Sequence, residues 1–133
     1  KLEIYKRIAS ISSSADVEDV REELMDRFGK IPLPAQNLLR VALIRSVAGL
    51  LEIEELTGGG GSLRIVLQAR ARGIRAEQIP VLVKEYRGRL SFMIKEKPQF
   101  QLRYPVSGKT IKDEETLLQE TEELLRRIAL ILR

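Results

Sequence analysis

Three carboxylates, Glu22, Glu23 and Asp26, crowd the segment EELMDRFG. Acids this close can hold a metal, share a proton for acid–base catalysis, or receive basic side chains from a partner. Their surroundings choose among these. Val17, Val20, Leu24 and Phe28 recur at helical spacing and predict an apolar face, which leaves the acids on the solvated side. Catalysis needs a buried pair of carboxylates driven apart, which the solvated side of a helix does not supply. A metal would need further converging oxygens, and the sequence identifies none. A contact for cations remains, set against plain solvation. Glu23 and Asp26, at i and i+3, can each receive an arginine through charge-assisted hydrogen bonds. Arg27 is expected to pair with Glu23 on the same helix and to tune how available that acid is.

A second candidate is Val106-Ser107-Gly108-Lys109-Thr110, which contains GKT, the tail of a nucleotide-binding phosphate loop, between a predicted strand and a predicted helix. The full motif needs glycine five positions before Gly108, where Arg103 stands. Tyr104 and Pro105 are stiff and bulky where the backbone must curl around phosphate. A turn built on Pro105 and Gly108 explains the same residues. Gly58 to Gly61 followed by Ser62 reads as a flexible loop between two strands, without the lysine and hydroxyl of a phosphate cradle. The string GGGGS also occurs as an engineered linker.

The net charge of +4 conceals a segregated distribution. Residues 61–110 carry 11 basic and 3 acidic side chains, against 8 and 10 in residues 1–60 and 4 and 6 in residues 111–133. Arg70, Arg72, Arg75, Lys84, Arg87 and Arg89 are the candidates for a weak anion contact, with Lys95, Lys97 and Arg103 beside them in sequence. No helix carries the Arg with Asn or Gln cluster of a groove reader, and three Phe and three Tyr offer few stacking platforms. Any nucleic-acid binding is expected to be weak, salt-sensitive and sequence-independent.

Composition narrows the chemistry further. The chain has 133 residues, the size of one domain, with 44% hydrophobic and 32% charged residues, an ordinary globular balance. It has no cysteine and no histidine, so disulfides, thiolate chemistry and the commonest metal ligand and proton shuttle are excluded. No metal site or cofactor is expected within it. No apolar run approaches the roughly 20 residues that span a bilayer, and the start KLEIYKRIAS lacks a signal-peptide core, so no membrane contact and a cytoplasmic location are expected.

The elements that must position these residues follow from periodicity. Residues 2–10 predict a short helix with Leu2, Tyr5, Ile8 and Ala9 on one side, continuing an upstream helix in a domain excised from a longer chain. Ser14 or Asp16 is expected to cap a helix over residues 16–28, and Gly29 to stop it in a left-handed conformation. Pro32 and Pro34 lead into a third helix, residues 34–50, expected to be central, with Leu38, Leu39, Ala42, Leu43, Val47 and Leu50 as its apolar stripe. Beyond it, a hairpin is predicted from Leu51–Leu56 and residues 63–68, a helix over 76–87, a second hairpin from Leu90–Ile94 and Phe100–Tyr104, and a last helix over 113–132. The fold class is therefore α+β: three helices in residues 1–50, then hairpin, helix, hairpin, helix in residues 51–133, with antiparallel strands in a single domain.

Tyr5-Lys6-Arg7-Ile8-Ala9, followed by Glu23-Leu24-Met25-Asp26-Arg27-Phe28-Gly29 and then Pro32, Pro34, Leu38 and Leu39, matches a YKRIA segment and an ELxDRFGxxPxPxxxLL segment at the right separation. The pairing resembles the C-terminal (TRCF) domain of the bacterial transcription-repair coupling factors, strongly over residues 1 to about 50. The resemblance implies a non-catalytic regulatory domain of an ATP-driven DNA translocase of helicase type, with ATP, magnesium, RNA polymerase and DNA handled by other domains. It also implies docking on a UvrB-like N-terminal module, which masks UvrA binding in transcription-coupled nucleotide excision repair. Glu23 and Asp26 match the family's acids on the helix that faces that module. The alternative is a free-standing, non-specific nucleic-acid-binding module using residues 61–110.

Overall fold

Val17, Val20 and Leu24, each at most 1% exposed, form the spine of the first of two compact units, Lys1–Val47 and Ala48–Arg133. The computed structural model describes residues 2–68 and 75–131. In the first unit three helices, α1 (Leu2–Ala9), α2 (Ser14–Phe28) and α3 (Leu33–Leu50, whose last turn passes the unit boundary), surround one apolar cluster. To it α1 contributes Ile4 and Ile8, and α3 contributes Ala35, Leu39 and Ala42.

Ser13, one residue earlier than expected, caps α2 by accepting a hydrogen bond from the Asp16 amide at 3.2 Å. Asp16 reaches back to the amide and hydroxyl of Ser12, and those donors hold its carboxyl below the usual carboxylate range. Gly29 ends the helix with φ 73° and ψ −132°, outside the left-handed helical well expected for it and in a region only glycine enters freely. Beyond that turn Ile31 enters the core, and Phe28, expected on the apolar face, is 42% exposed under the Arg27 guanidinium. Tyr5 and Ala9 likewise lie outside, because α1 turns Ile4 and Ile8 inward. On α3, Ala35, Leu39 and Ala42 set the inward stripe, which leaves Leu38 and Leu50 exposed.

The second unit holds an antiparallel sheet in the order β1-β2-β4-β3, built from β1 (Ile53–Gly59), β2 (Ser62–Leu67), β3 (Leu90–Ile94) and β4 (Pro98–Arg103). A 3-10 turn (Ala76–Gln78) runs into α4 (Ile79–Glu85), and α5 (Thr110–Ile131) closes the sequence of elements. Strand alternation places Leu63, Ile65 and Leu67 on a fully buried face of β2, opposite Leu102 and Phe100 of β4. Phe100 also stacks, tilted, on Phe92 of β3 with ring centroids 4.9 Å apart. The α+β class and the antiparallel strand pairs agree with expectation. The glycine run does not: Gly58 and Gly59 belong to β1, and only Gly60 and Gly61, at φ 61° and 88°, make the turn. Two successive positive φ values are what a tight hairpin requires.

At the GKT segment the backbone is already committed. One Asp113 carboxylate oxygen accepts from the amide and hydroxyl of Ser107 at 2.7 and 2.8 Å, and the other accepts from the Gly108 amide at 3.0 Å. A side chain thus occupies the amides a phosphate would need, and the segment is the turn that leads into α5. The Ser107 amide first, then its hydroxyl and the Gly108 amide, hold the Asp113 carboxyl below its ordinary range.

Two outcomes test this architecture. Leu24→Ala is expected to lower stability by about 2–5 kcal/mol, whereas Phe28→Ala lowers it by less than about 1 kcal/mol, both read by urea unfolding. Because the folded Asp113 pKa is depressed, its contribution is present above the ordinary carboxylate range and is lost as pH falls through the folded value. Asp113→Asn should accordingly unfold at a lower temperature than the parent chain at neutral pH, and the two melting curves should converge in acid.

Candidate functional site

The polar side of α2 sorts its acids by what they touch. Glu23 is half-exposed and accepts from the Arg7 guanidinium at 3.1 Å through both carboxylate oxygens. Arg7 in turn donates to the Ser10 hydroxyl at 2.9 Å. Arg27 pairs with Glu3 of α1 at 3.2 Å and not, as expected, with Glu23 on its own helix. The reason is geometric: Arg27 extends toward α1 and also covers the Phe28 ring at 5.1 Å, while Arg7 already occupies Glu23. Two ion pairs thus tie α1 to α2, and the Arg7–Glu23 pair joins the two sequence segments that carry the family resemblance.

Asp26 is different. It is exposed, and among the described residues it has no ion-pair or hydrogen-bond partner. Asp19 and Glu22, at i−7 and i−4 from it, are likewise exposed and unpartnered among the described residues. At about 100° per residue these three acids share one side of α2. Glu23, at the edge of that side, is reachable only by a cation that competes with or joins Arg7. Sequence spacing singled out Glu23 and Asp26; Asp19 was the acid it missed, four residues before Glu23 on the same helix.

In the second unit the basic candidates divide. Arg70 and Arg72 lie outside the described residues. Arg89 pairs with Glu120 at 3.1 Å, donates to the Arg103 carbonyl at 3.1 Å and lies over the Tyr86 ring. Lys97 pairs with Glu54 at 2.6 Å, and Arg103 donates to the Gly88 carbonyl at 3.1 Å. Arg75, Lys84, Arg87 and Lys95 are exposed without a side-chain partner among the described residues. Lys84 and Arg87 stand about one turn apart where α4 ends.

A cleft of about 420 Å³ opens beside Tyr86, between Glu85, Arg89, Glu120, Glu123 and Arg127. Its guanidiniums are consumed by its carboxylates: Arg89 by Glu120, and Arg127 by Glu85 and Glu123. Tyr86 is 6% exposed, its hydroxyl has no hydrogen-bond partner among the described residues, and burial pushes its pKa up. A phenol held neutral among compensated charges is neither a base nor a nucleophile at neutral pH. Among the described residues no group of His, Cys, Asp and Glu is arranged to hold a metal ion, and no helix is long and apolar enough to cross a membrane.

The TRCF domain family model matches residues 1–79. The transcription-repair-coupling factor of Escherichia coli is 45% identical over 58 residues, which cover 44% of this chain and 5% of that protein. That of Haemophilus influenzae is 28% identical over 129 residues, covering 97% of this chain and 11% of that protein. This chain therefore spans only a small fraction of the length of the curated relatives it matches. Among solved structures, the C-terminal domain of a transcription-repair coupling factor superposes with a TM-score of 0.61 over 96% of this chain and 81% of that one, at 20% identity, a likeness of fold. The helices that carry the acids and the residues that match the family model coincide, and the chain belongs to the TRCF domain family.

Proposed function

We propose that this TRCF domain is a non-catalytic regulatory clamp within a transcription-repair coupling factor. It docks through the acidic side of α2 on a basic surface of the UvrB-like N-terminal module of the same protein and masks the surface that binds UvrA. Other domains of the parent carry the ATP- and magnesium-dependent motor and the contacts to DNA and RNA polymerase. Release of the clamp during translocation exposes the recruitment surface, a shift between docked and undocked populations.

The observation that carries this reading is Asp26: an exposed, unpartnered carboxylate flanked on its own helix by Asp19 and Glu22. An unpaired acid can accept an arginine without first breaking an internal bond. Each such exposed pair contributes about 0.2–1 kcal/mol, so a few together make a latch weak enough to open. Glu23 contributes at the edge of this surface, where a partner's cation shares it with Arg7.

The alternative, weak nucleic-acid binding, draws on Arg75, Lys84, Arg87 and Lys95, which have no side-chain partner among the described residues. Its affinity would fall steeply with salt.

Asp26→Arg is expected to weaken binding of this domain to the N-terminal module about tenfold, read by calorimetry, and to leave its unfolding unchanged within about 0.5 kcal/mol. Unchanged affinity would remove Asp26 from the contact. Glu23→Gln separates the second acid from helix packing, because it keeps the shape beside Arg7 without placing two cations together. A salt titration against duplex DNA addresses the alternative, which no measurable association at low ionic strength would sink.

A further inference from the structure

The side of α2 that leads away from Asp26 has the opposite character. Arg21 and Met25 of α2, Lys30 and Ile31 of the following turn, and Leu39 and Arg40 of α3 line a groove of about 380 Å³, at the small end of ligand-sized clefts. Ile31 and Leu39 are core residues, and Met25 is 55% exposed. The groove therefore has an apolar floor and an apolar wall that water reaches. Gln36 donates to the Ile31 carbonyl at 2.7 Å, which holds the turn in place against the start of α3.

Charge gives the groove a sign. Arg21, Lys30 and Arg40 stand on its rim, and no acidic side chain lines it among the described residues. Arg21 has one terminal nitrogen on Glu18, at 2.8 and 3.0 Å. Arg40 is already engaged. Lys30 has no partner among the described residues, so its ammonium is available.

We infer that this groove is a docking site for an acidic peptide segment that inserts one bulky apolar side chain between Met25, Ile31 and Leu39 and sets a carboxylate against Lys30, with the free side of the Arg21 guanidinium beside it. An apolar anchor in a pocket surrounded by charge-assisted contacts is the arrangement that concentrates binding energy in few residues. Nucleic acid fits the rim but not the floor, because phosphate gains nothing from methionine, isoleucine and leucine and no aromatic ring lines the groove for a base to stack on. The site stands apart from the acidic surface and does not depend on the clamp reading. Met25 and Asp26 are neighbours in sequence, yet the helix turns them about 100° apart. One helix thus serves a basic partner on one side and an acidic partner on the other.

The test uses the whole chain, labelled with nitrogen-15, titrated with a short peptide carrying a central Leu-Phe pair between aspartates. The amides of Arg21, Met25, Lys30, Ile31, Leu39 and Arg40 are expected to shift. Replacing the peptide's aspartates by asparagine, or its Leu-Phe pair by alanines, should weaken binding about tenfold or more. Lys30→Glu and Met25→Asp in the protein should do the same, and since both side chains are exposed, the unfolding temperature should move little. Lys30→Gln, which removes the charge alone, gives an intermediate loss. The inference is overturned if none of these amides moves at excess peptide, if the uncharged peptide binds equally well, or if duplex DNA moves the same amides at a lower Kd.

Discussion

Burial of Val17, Val20 and Leu24 fixes the rotation of α2 about its own axis, and most of what the first unit can offer a partner follows from that single constraint. With those three side chains turned onto Ile4, Ile8, Ala35, Leu39 and Ala42, every other position on the helix has a determined direction. Asp19, Glu22 and Asp26 must face water. Arg21 and Met25 must border the cleft toward α3. A change of register by one residue would turn apolar side chains outward and acids inward, at a cost far above that of any surface contact. The directions of these exposed side chains are therefore as well defined as the core that imposes them.

Electrostatics then selects among the exposed charges. Arg7 with Glu23 and Arg27 with Glu3 lace α1 to α2, so charges that look available in a linear reading are already engaged. The second unit follows the same logic on a larger scale: its excess of basic residues is reduced by Arg64 with Glu55, Lys97 with Glu54 and Arg89 with Glu120. Several of those partners come from distant parts of the sequence. Among the described residues the charges left without a partner include Asp26, its flanking acids and Lys30 in the first unit, and Arg75, Lys84, Arg87 and Lys95 in the second. A contact built from such exposed charges is reversible, since each pair contributes little and is screened by salt.

Legibility varied with the range of the cause. Helix α2, its glycine stop and both antiparallel hairpins are readable because periodicity and turn chemistry act over a few residues, whereas the β2–β4 pairing that joins the hairpins into one sheet is long-range and is not. Phe28 was misplaced by the same periodicity: its position fits the apolar stripe, but the chain turns at Gly29 and Ile31 takes the space. Leu38 was misplaced for a related reason, since Ala35, Leu39 and Ala42 define a stripe on α3 that leaves it outside. The glycine run has the composition of a loop, but β1 stays paired with β2 as far as Gly59 because the turn needs only two residues. At GKT the missing first glycine correctly argued against a phosphate loop, while the occupant of those amides, Asp113, was not foreseen.

The family, the α+β class, the order of elements and the presence of a solvated acidic helix face are all legible in the amino-acid order, because each rests on local pattern or on residue identity at fixed spacing. Which of those acids is unpaired, which cations are neutralised, and the apolar, positively rimmed groove beside α2 emerge once the chain has folded. These depend on side chains far apart in the chain meeting in space: Arg7 with Glu23, Glu3 with Arg27, and Met25 near Leu39. No spacing rule along one helix reports on the neighbour that packs against it.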